Sequence, residues 1–115
     1  MKKYLAIFLG TKEAMATWMA MPEADRKAKE KEGMMAWGKW MEDHKEAVVD
    51  GSPLGKTKAV NKNGISDVRN DMGAWTVVKA NSQEEAAKMF ENHPHFTIFP
   101  GDRIEVMECL AIPTM

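Results

Sequence analysis

Residues 4–9, Tyr-Leu-Ala-Ile-Phe-Leu, form an unbroken apolar run closed by Gly10. Aromatic and branched side chains in so short a run, ended by glycine, read as a β-strand. Successive side chains of a strand point to opposite faces, so this one is apolar on both. Any fold open to the chain has to cover that strand on two sides. The run is too short for the apolar part of a secretory leader, lacks a small-residue cleavage site behind it, and is far too short to cross a bilayer.

The remaining elements alternate. Thr11 is placed to cap a short helix over residues 12–20. Pro22 at the first helical position, with Glu23 and Asp25 in the first turn, opens a longer helix whose inner stripe reads Ala24, Ala28, Met34, Trp37 and Met41. Residues 47–49 make a brief second strand, ended by a Gly/Pro loop over 50–55. Segments 56–61 and 65–68 flank Lys62-Asn63-Gly64, whose Asn-Gly pair supplies the positive φ angles of a tight, exposed hairpin. Residues 74–79 form a third good strand. Ser82-Gln83-Glu84-Glu85 matches the capping box and starts a helix with Ala86, Met89 and Phe90 on one face, which Pro94 ends. Phe99-Pro100-Gly101-Asp102 reads as a type II turn into a last strand over 104–110.

Strand, helix, strand, hairpin, strand, helix, strand amounts to two βαβ units in tandem, so the expected fold is α+β and ferredoxin-like, a βαββαβ subunit. With 115 residues the chain has room for one core, and residues 1–115 are read as a single domain. Two helices cover one face of a four-stranded sheet. The other face needs a cover too, and a second copy of the same sheet supplies it with closed two-fold symmetry. A homodimer in the form of a dimeric α+β barrel is therefore expected. The hairpin is too polar to do this.

Charge excludes two partner classes. The 16 basic and 17 acidic residues leave a net charge of −1 with no single-sign block, which speaks against nucleic acid and anionic membrane. The mixed charges of residues 26–32 read as the solvated face of a helix. A single cysteine, Cys109, allows no internal disulfide, so a cytoplasmic location is expected; with the acidic Glu108 beside it, it reads as a buried, inert thiol. Eleven methionines are read mainly as fillers of an irregular core. Gly33 and Gly38, inside the long helix, call for close backbone packing or an approaching ligand as compensation.

Gly51-Ser-Pro-Leu-Gly55-Lys56-Thr57 has three residues between its glycines where a phosphate-binding loop has four, and extended chain rather than a helix follows it. His93-Pro94-His95-Phe96 is the most chemical segment. Imidazole titrates near neutral pH, and in an extended chain residues i and i+2 share a face. His95 and His93 are the candidate proton-transfer groups, with Asp50 to orient them. Their alternative is to cap the end of the preceding helix in solvent. Ser52, Trp75 and Phe96 are the candidate substrate contacts. No metal site is expected, because the third histidine, His44, falls at the distant end of the long helix, where it serves the helix dipole.

Taken in order, the opening Lys3-Tyr-Leu-Ala-Ile-Phe, the long helix closing into Ala47-Val-Val-Asp-Gly-Ser-Pro-Leu, the Asn63-Gly hairpin, Trp75-Thr-Val-Val, Ser82-Gln-Glu-Glu-Ala-Ala and a last strand ending at Pro113 resemble the YCII-related proteins along nearly the whole chain. The resemblance implies a ferredoxin-like subunit, a homodimer joined through its sheets, and a pocket between helices and sheet edge. The histidine that many members carry in the long helix, paired with an aspartate, falls near Met35 here, and Ser66-Asp67-Val68-Arg69 stands where another branch has Asp-Gly-Pro-Phe. Acid/base chemistry would then pass to His93 and His95. Two functions are expected from this: a cofactor-free small-molecule enzyme using histidine proton transfer, or a non-catalytic small-molecule-binding or accessory module with an exposed patch at Trp37, Trp40 and Met41.

Overall fold

The apolar run at residues 4–9 lies inside a strand that takes a central place in the main sheet. A computed structural model describes residues 1–113 as β1 (Lys2–Leu9), α1 (Lys12–Ala20), α2 (Glu23–Asp43), β2 (Val48–Pro53), β3 (Thr57–Asn61), β4 (Gly64–Val68), β5 (Met72–Ala80), α3 (Gln83–Lys88), α4 (Pro94–Thr97) and β6 (Arg103–Glu108). The main sheet runs β2-β5-β1-β6 and is antiparallel throughout. Each βαβ unit leaves a gap of one strand that a strand of the other unit fills. This is the ferredoxin-like fold, with β3 and β4 set between β2 and β5 as a separate ribbon.

Alternation along β1 divides the sheet into two faces. Tyr4, Ala6 and Phe8 are buried with Val78 and Ala80 of β5, Trp40 of α2, and Ala86 and Phe90 at α3. The Trp40 indole N–H donates to the Met89 carbonyl at 2.7 Å and ties α2 to the end of α3. The opposite face shows two cross-strand rows, Asp50-Val77-Leu5-Met107 and Ser52-Trp75-Ile7-Glu105. Its middle is apolar, and no helix among the described residues lies on it. The molecule is only 18 Å deep against 55 and 44 Å in its other dimensions, the depth of one sheet and one helical layer.

Several sequence expectations change. The second strand extends to Pro53, so Asp50 and Ser52 lie on β2 and not in a loop. The inner stripe of α2 is Gly33, Trp37 and Trp40, continued by the capping His44, while Ala24, Ala28 and Met34 are exposed. Trp40 and the ring of Phe99, seated on Gly33, set the helix rotation. Met89 packs against the core, but Met15, Met19, Met34 and Met35 are half or more exposed, because aromatic rings already fill most of it. Cys109 lies just beyond β6 and is exposed. In the hairpin only Gly64 has a positive φ, +116°, whereas Asn63 does not, which excludes a turn needing both. Gly101 has no positive φ either, so 99–102 is no type II turn; a side chain there would collide with the carbonyl and imidazole of His95. Ser82 does cap its helix, its hydroxyl accepting the Glu85 N–H at 3.1 Å.

The two helix glycines differ in kind. A Cβ at Gly33 would overlap the Phe99 ring, itself held between Trp18 and Trp37, whereas a Cβ at Gly38 meets nothing within 4 Å. Gly33→Ala is expected to destabilise by about 1–3 kcal/mol through overpacking, and Gly38→Ala to stabilise by up to about 1 kcal/mol. Urea denaturation of the two variants checks the contrast; equal effects would refute it.

Candidate functional site

The His-Pro-His segment does not run extended. Asn92 takes the left-handed conformation (φ 58°), which asparagine tolerates, and turns the chain back after α3. Pro94 then occupies the first turn of α4 instead of ending the helix before it, and His93 becomes the cap. The His93 Nδ1 accepts the backbone N–H of His95 at 3.0 Å, and the Thr97 hydroxyl donates to the His93 carbonyl at 3.1 Å. The two imidazoles therefore do not share a face. Neither sits in solvent as a cap for the preceding helix.

His93 is wholly buried among four rings: Trp37 at 4.5 Å, Trp40 at 4.9 Å, Phe8 at 5.1 Å and Phe90 at 6.0 Å. Burial above all, and after it the nearby His95 and His44, lower its pKa to about 4. The ring is thus neutral at pH 7, and since Nδ1 accepts a hydrogen bond its proton is on Nε2. That Nε2 is the one buried side-chain polar atom without a partner among the described residues.

His95 meets a different environment. Its Nε2–H donates to the Leu9 carbonyl at 2.8 Å, at the end of β1. Burial lowers its pKa, and the backbone of Leu9 and Arg103 and the Asp102 carboxylate partly offset this. It too is neutral at pH 7. Unlike His93, it lines a cleft of about 580 Å³ between α2 and the sheet. Met15, Met34, Met41 and Trp37 stand on the helical side, Gly51, Ala74 and Thr76 on the sheet, and Phe99, Pro100 and Gly101 close the end beside His95. Arg69, paired with Asp71 at 2.7 Å, lies at the polar margin.

The residues singled out from sequence fall in different places. His95 is in the wall, and His93 lies behind Trp37 without lining the cleft. Asp50 accepts the Gly51 N–H at 2.8 Å and does not line the cleft; the carboxylate that acts on His95 is Asp102. Ser52 and Trp75 contribute to the rim, while strand alternation turns their side chains to the uncovered face. Phe96 lines a smaller groove on the far side, with Phe90, Arg103 and Ile104. As site residues, Trp37 and Met41 are named from sequence only for the patch of the binding-module reading; Phe99, Met15 and Met34 are not expected at a site at all. The two glycines bracketing Trp37 and the methionine density of the long helix were the available signals. No group of three or more His, Cys, Asp or Glu among the described residues is placed to hold a metal ion, and no helix among them is long and apolar enough to cross a membrane.

No family model matches the chain, and no curated protein does. Among solved structures it is similar to a 5-chloro-2-hydroxyhydroquinone dehydrochlorinase from Burkholderia phenoliruptrix, in complex with 2,5-dihydroxybenzoquinone, at 15% identity and a TM-score of 0.54 over 90% of this chain and 89% of that one. A 30S ribosomal protein S6 from Thermotoga maritima matches at 14% identity over 94% and 87% of the two chains, with a TM-score of 0.36. The first likeness supports the fold.

The burial of His93 has a measurable consequence. An unfolded chain protonates this ring near pH 6.5 and the folded one only near 4, so between those values the unfolded state binds more protons. Its contribution to stability is complete above pH 6.5 and shrinks as pH falls, by about 2 kcal/mol at pH 5. In His93→Asn, which keeps a capping acceptor without a titrating ring, the fall in stability from pH 7 to 5 should be smaller by about that amount. Denaturant titrations at the two pH values check it, and an unchanged difference would refute it.

Proposed function

We propose that the chain is a small-molecule enzyme without a resident cofactor, in which neutral His95 takes a proton from a flat organic molecule held in the α2–sheet cleft and returns it elsewhere on the same molecule or to a leaving group. The observation that carries this reading is an uncharged imidazole in the wall of an otherwise largely apolar cleft. Such a group is ready to act as a base. The carbonyl of Leu9 and the carboxylate of Asp102, which oppose the effect of burial, stabilise the imidazolium that forms. Thioethers and aromatic rings on the helical side suit a planar, polarisable body, and the cleft volume suits one small ring system with substituents. The dihydroxybenzoquinone bound by the dehydrochlorinase of similar fold belongs to that chemical class. Isomerisation or elimination on a hydroxylated aromatic or quinonoid compound is the reaction class this favours, in keeping with the resemblance to YCII-related proteins and a cytoplasmic setting. In the rival reading the cleft holds the molecule without turning it over. Its expected patch is broken up, since Trp40 is buried and Met41 turns to the cleft.

The proposed unit is a homodimer joined through the uncovered sheet face, where Leu5, Ile7, Trp75 and Val77 form an apolar centre. Val77→Lys is expected to convert the dimer to a folded monomer. Sedimentation velocity with circular dichroism reads both properties, and a wild-type monomer would rule out the arrangement.

Proton transfer is tested by incubating the protein in D2O with 2,5-dihydroxybenzoquinone and following loss of ring C–H signals by NMR. Wild type should exceed His95→Gln by about 10²–10⁴-fold. The rate should rise with pH through a value below 6.5 and level off above it, because the base is the neutral ring. Equal rates in the two proteins, with binding retained, would leave only the rival reading.

A further inference from the structure

The enclosure of His93 has one weak side. Of its four ring neighbours, Phe8, Trp40 and Phe90 are 1%, 7% and 3% exposed. Trp37 alone is partly exposed, and it is the one of the four that also lines the cleft. The Trp37 ring meets His93 edge-on at 4.5 Å and is itself part of the cleft wall, and the His93 Nε2 has no partner. Trp37 packs on its inner side against Phe8, His93 and Phe99, while its neighbours on the cleft side are loosely held. Met34 and Met41, one turn to either side and both lining the cleft, are 67% and 38% exposed. A buried N–H donor with no acceptor is destabilising, a cost that a bound acceptor at that atom would remove.

We propose that Trp37 is a movable wall: when it swings aside, the cleft reaches His93, whose Nε2–H donates to a carbonyl or phenolic oxygen of the bound molecule. This rests on the reading of the cleft as the binding site and adds the polar group that orients the ligand. His93 supplies the donor and His95 the base. A ligand that fits must then carry an oxygen acceptor at the end of its ring that enters first, and a hydrocarbon of the same outline lacks the anchor. Opening and binding involve no bond change in the protein.

The wall is tested first without ligand, by NMR of the full chain with 15N-labelled histidine. The His93 Nε2–H should exchange with solvent by a local opening, at least roughly 100-fold faster than the slowest β1 amides and insensitive to low urea. Trp37→Ala should accelerate that exchange about tenfold or more while leaving the β1 amides unchanged. Exchange of Nε2–H only together with the β1 amides, or no acceleration in Trp37→Ala, would overturn the movable wall. The anchor is tested with hydroquinone, kept anaerobic, against p-xylene, which has its outline and no oxygen. Hydroquinone should shift the Nε2–H signal downfield and p-xylene should not. Hydroquinone that moves the Met34 and Met41 methyl signals and leaves Nε2–H in place would overturn the anchor alone; failure of both compounds to move the methyl signals would overturn the cleft reading and this proposal together.

Discussion

The ring of Phe8 lies 5.1 Å from His93, 5.2 Å from Trp37 and from His95, and 6.0 Å from Phe90. It thus joins the central strand to the long helix, to the end of α3 and to both histidines. Rings arranged edge-on or tilted gain from their quadrupoles as well as from burial. Remove this ring and the helices lose their common support, His93 loses one side of its enclosure, and the wall of the cleft at His95 loses its backing. The catalytic geometry proposed for this protein is a by-product of how one strand packs.

Two imidazoles separated by one proline are turned to different uses by their surroundings. His93 is surrounded by carbon, spends one nitrogen on the cap of α4, and leaves the other unspent. His95 has carbonyl and carboxylate neighbours and a cleft in front of it. Dividing roles between similar groups by environment is a recurring way to obtain acid/base function from one residue type. Here the left-handed Asn92 and the proline at the start of α4 do the dividing, because they send the two side chains in different directions.

The order of elements was legible in the sequence because it rests on local signals: the double-sided apolar run, the Ser82 cap, and Asn-Gly at the hairpin. The need for a bare sheet face was legible too, since it follows from counting helices against strands. The orientation of α2 was not. Its rotation depends on Phe99 fitting over Gly33, a contact between residues 66 positions apart that no periodicity announces. The same contact turns Met34 and Met41 to the cleft and not to the core. The His-Pro-His turn was misread because proline is compatible both with an extended dipeptide and with the first turn of a helix. Only the tertiary position of α4 decides.

The placement of β1 has a bearing on biosynthesis. Its partners β5 and β6 begin at Met72 and Arg103, so β1 is synthesised before either of them and has both edges paired only once β6 is made. During that interval an apolar, aromatic, β-prone segment is open to pairing with other chains. Lys2 and Lys3 directly precede it and remain exposed in the folded protein. Their charge is poorly tolerated in a stack of identical strands. The pair of lysines thus guards the nascent chain at the segment on which the finished fold most depends.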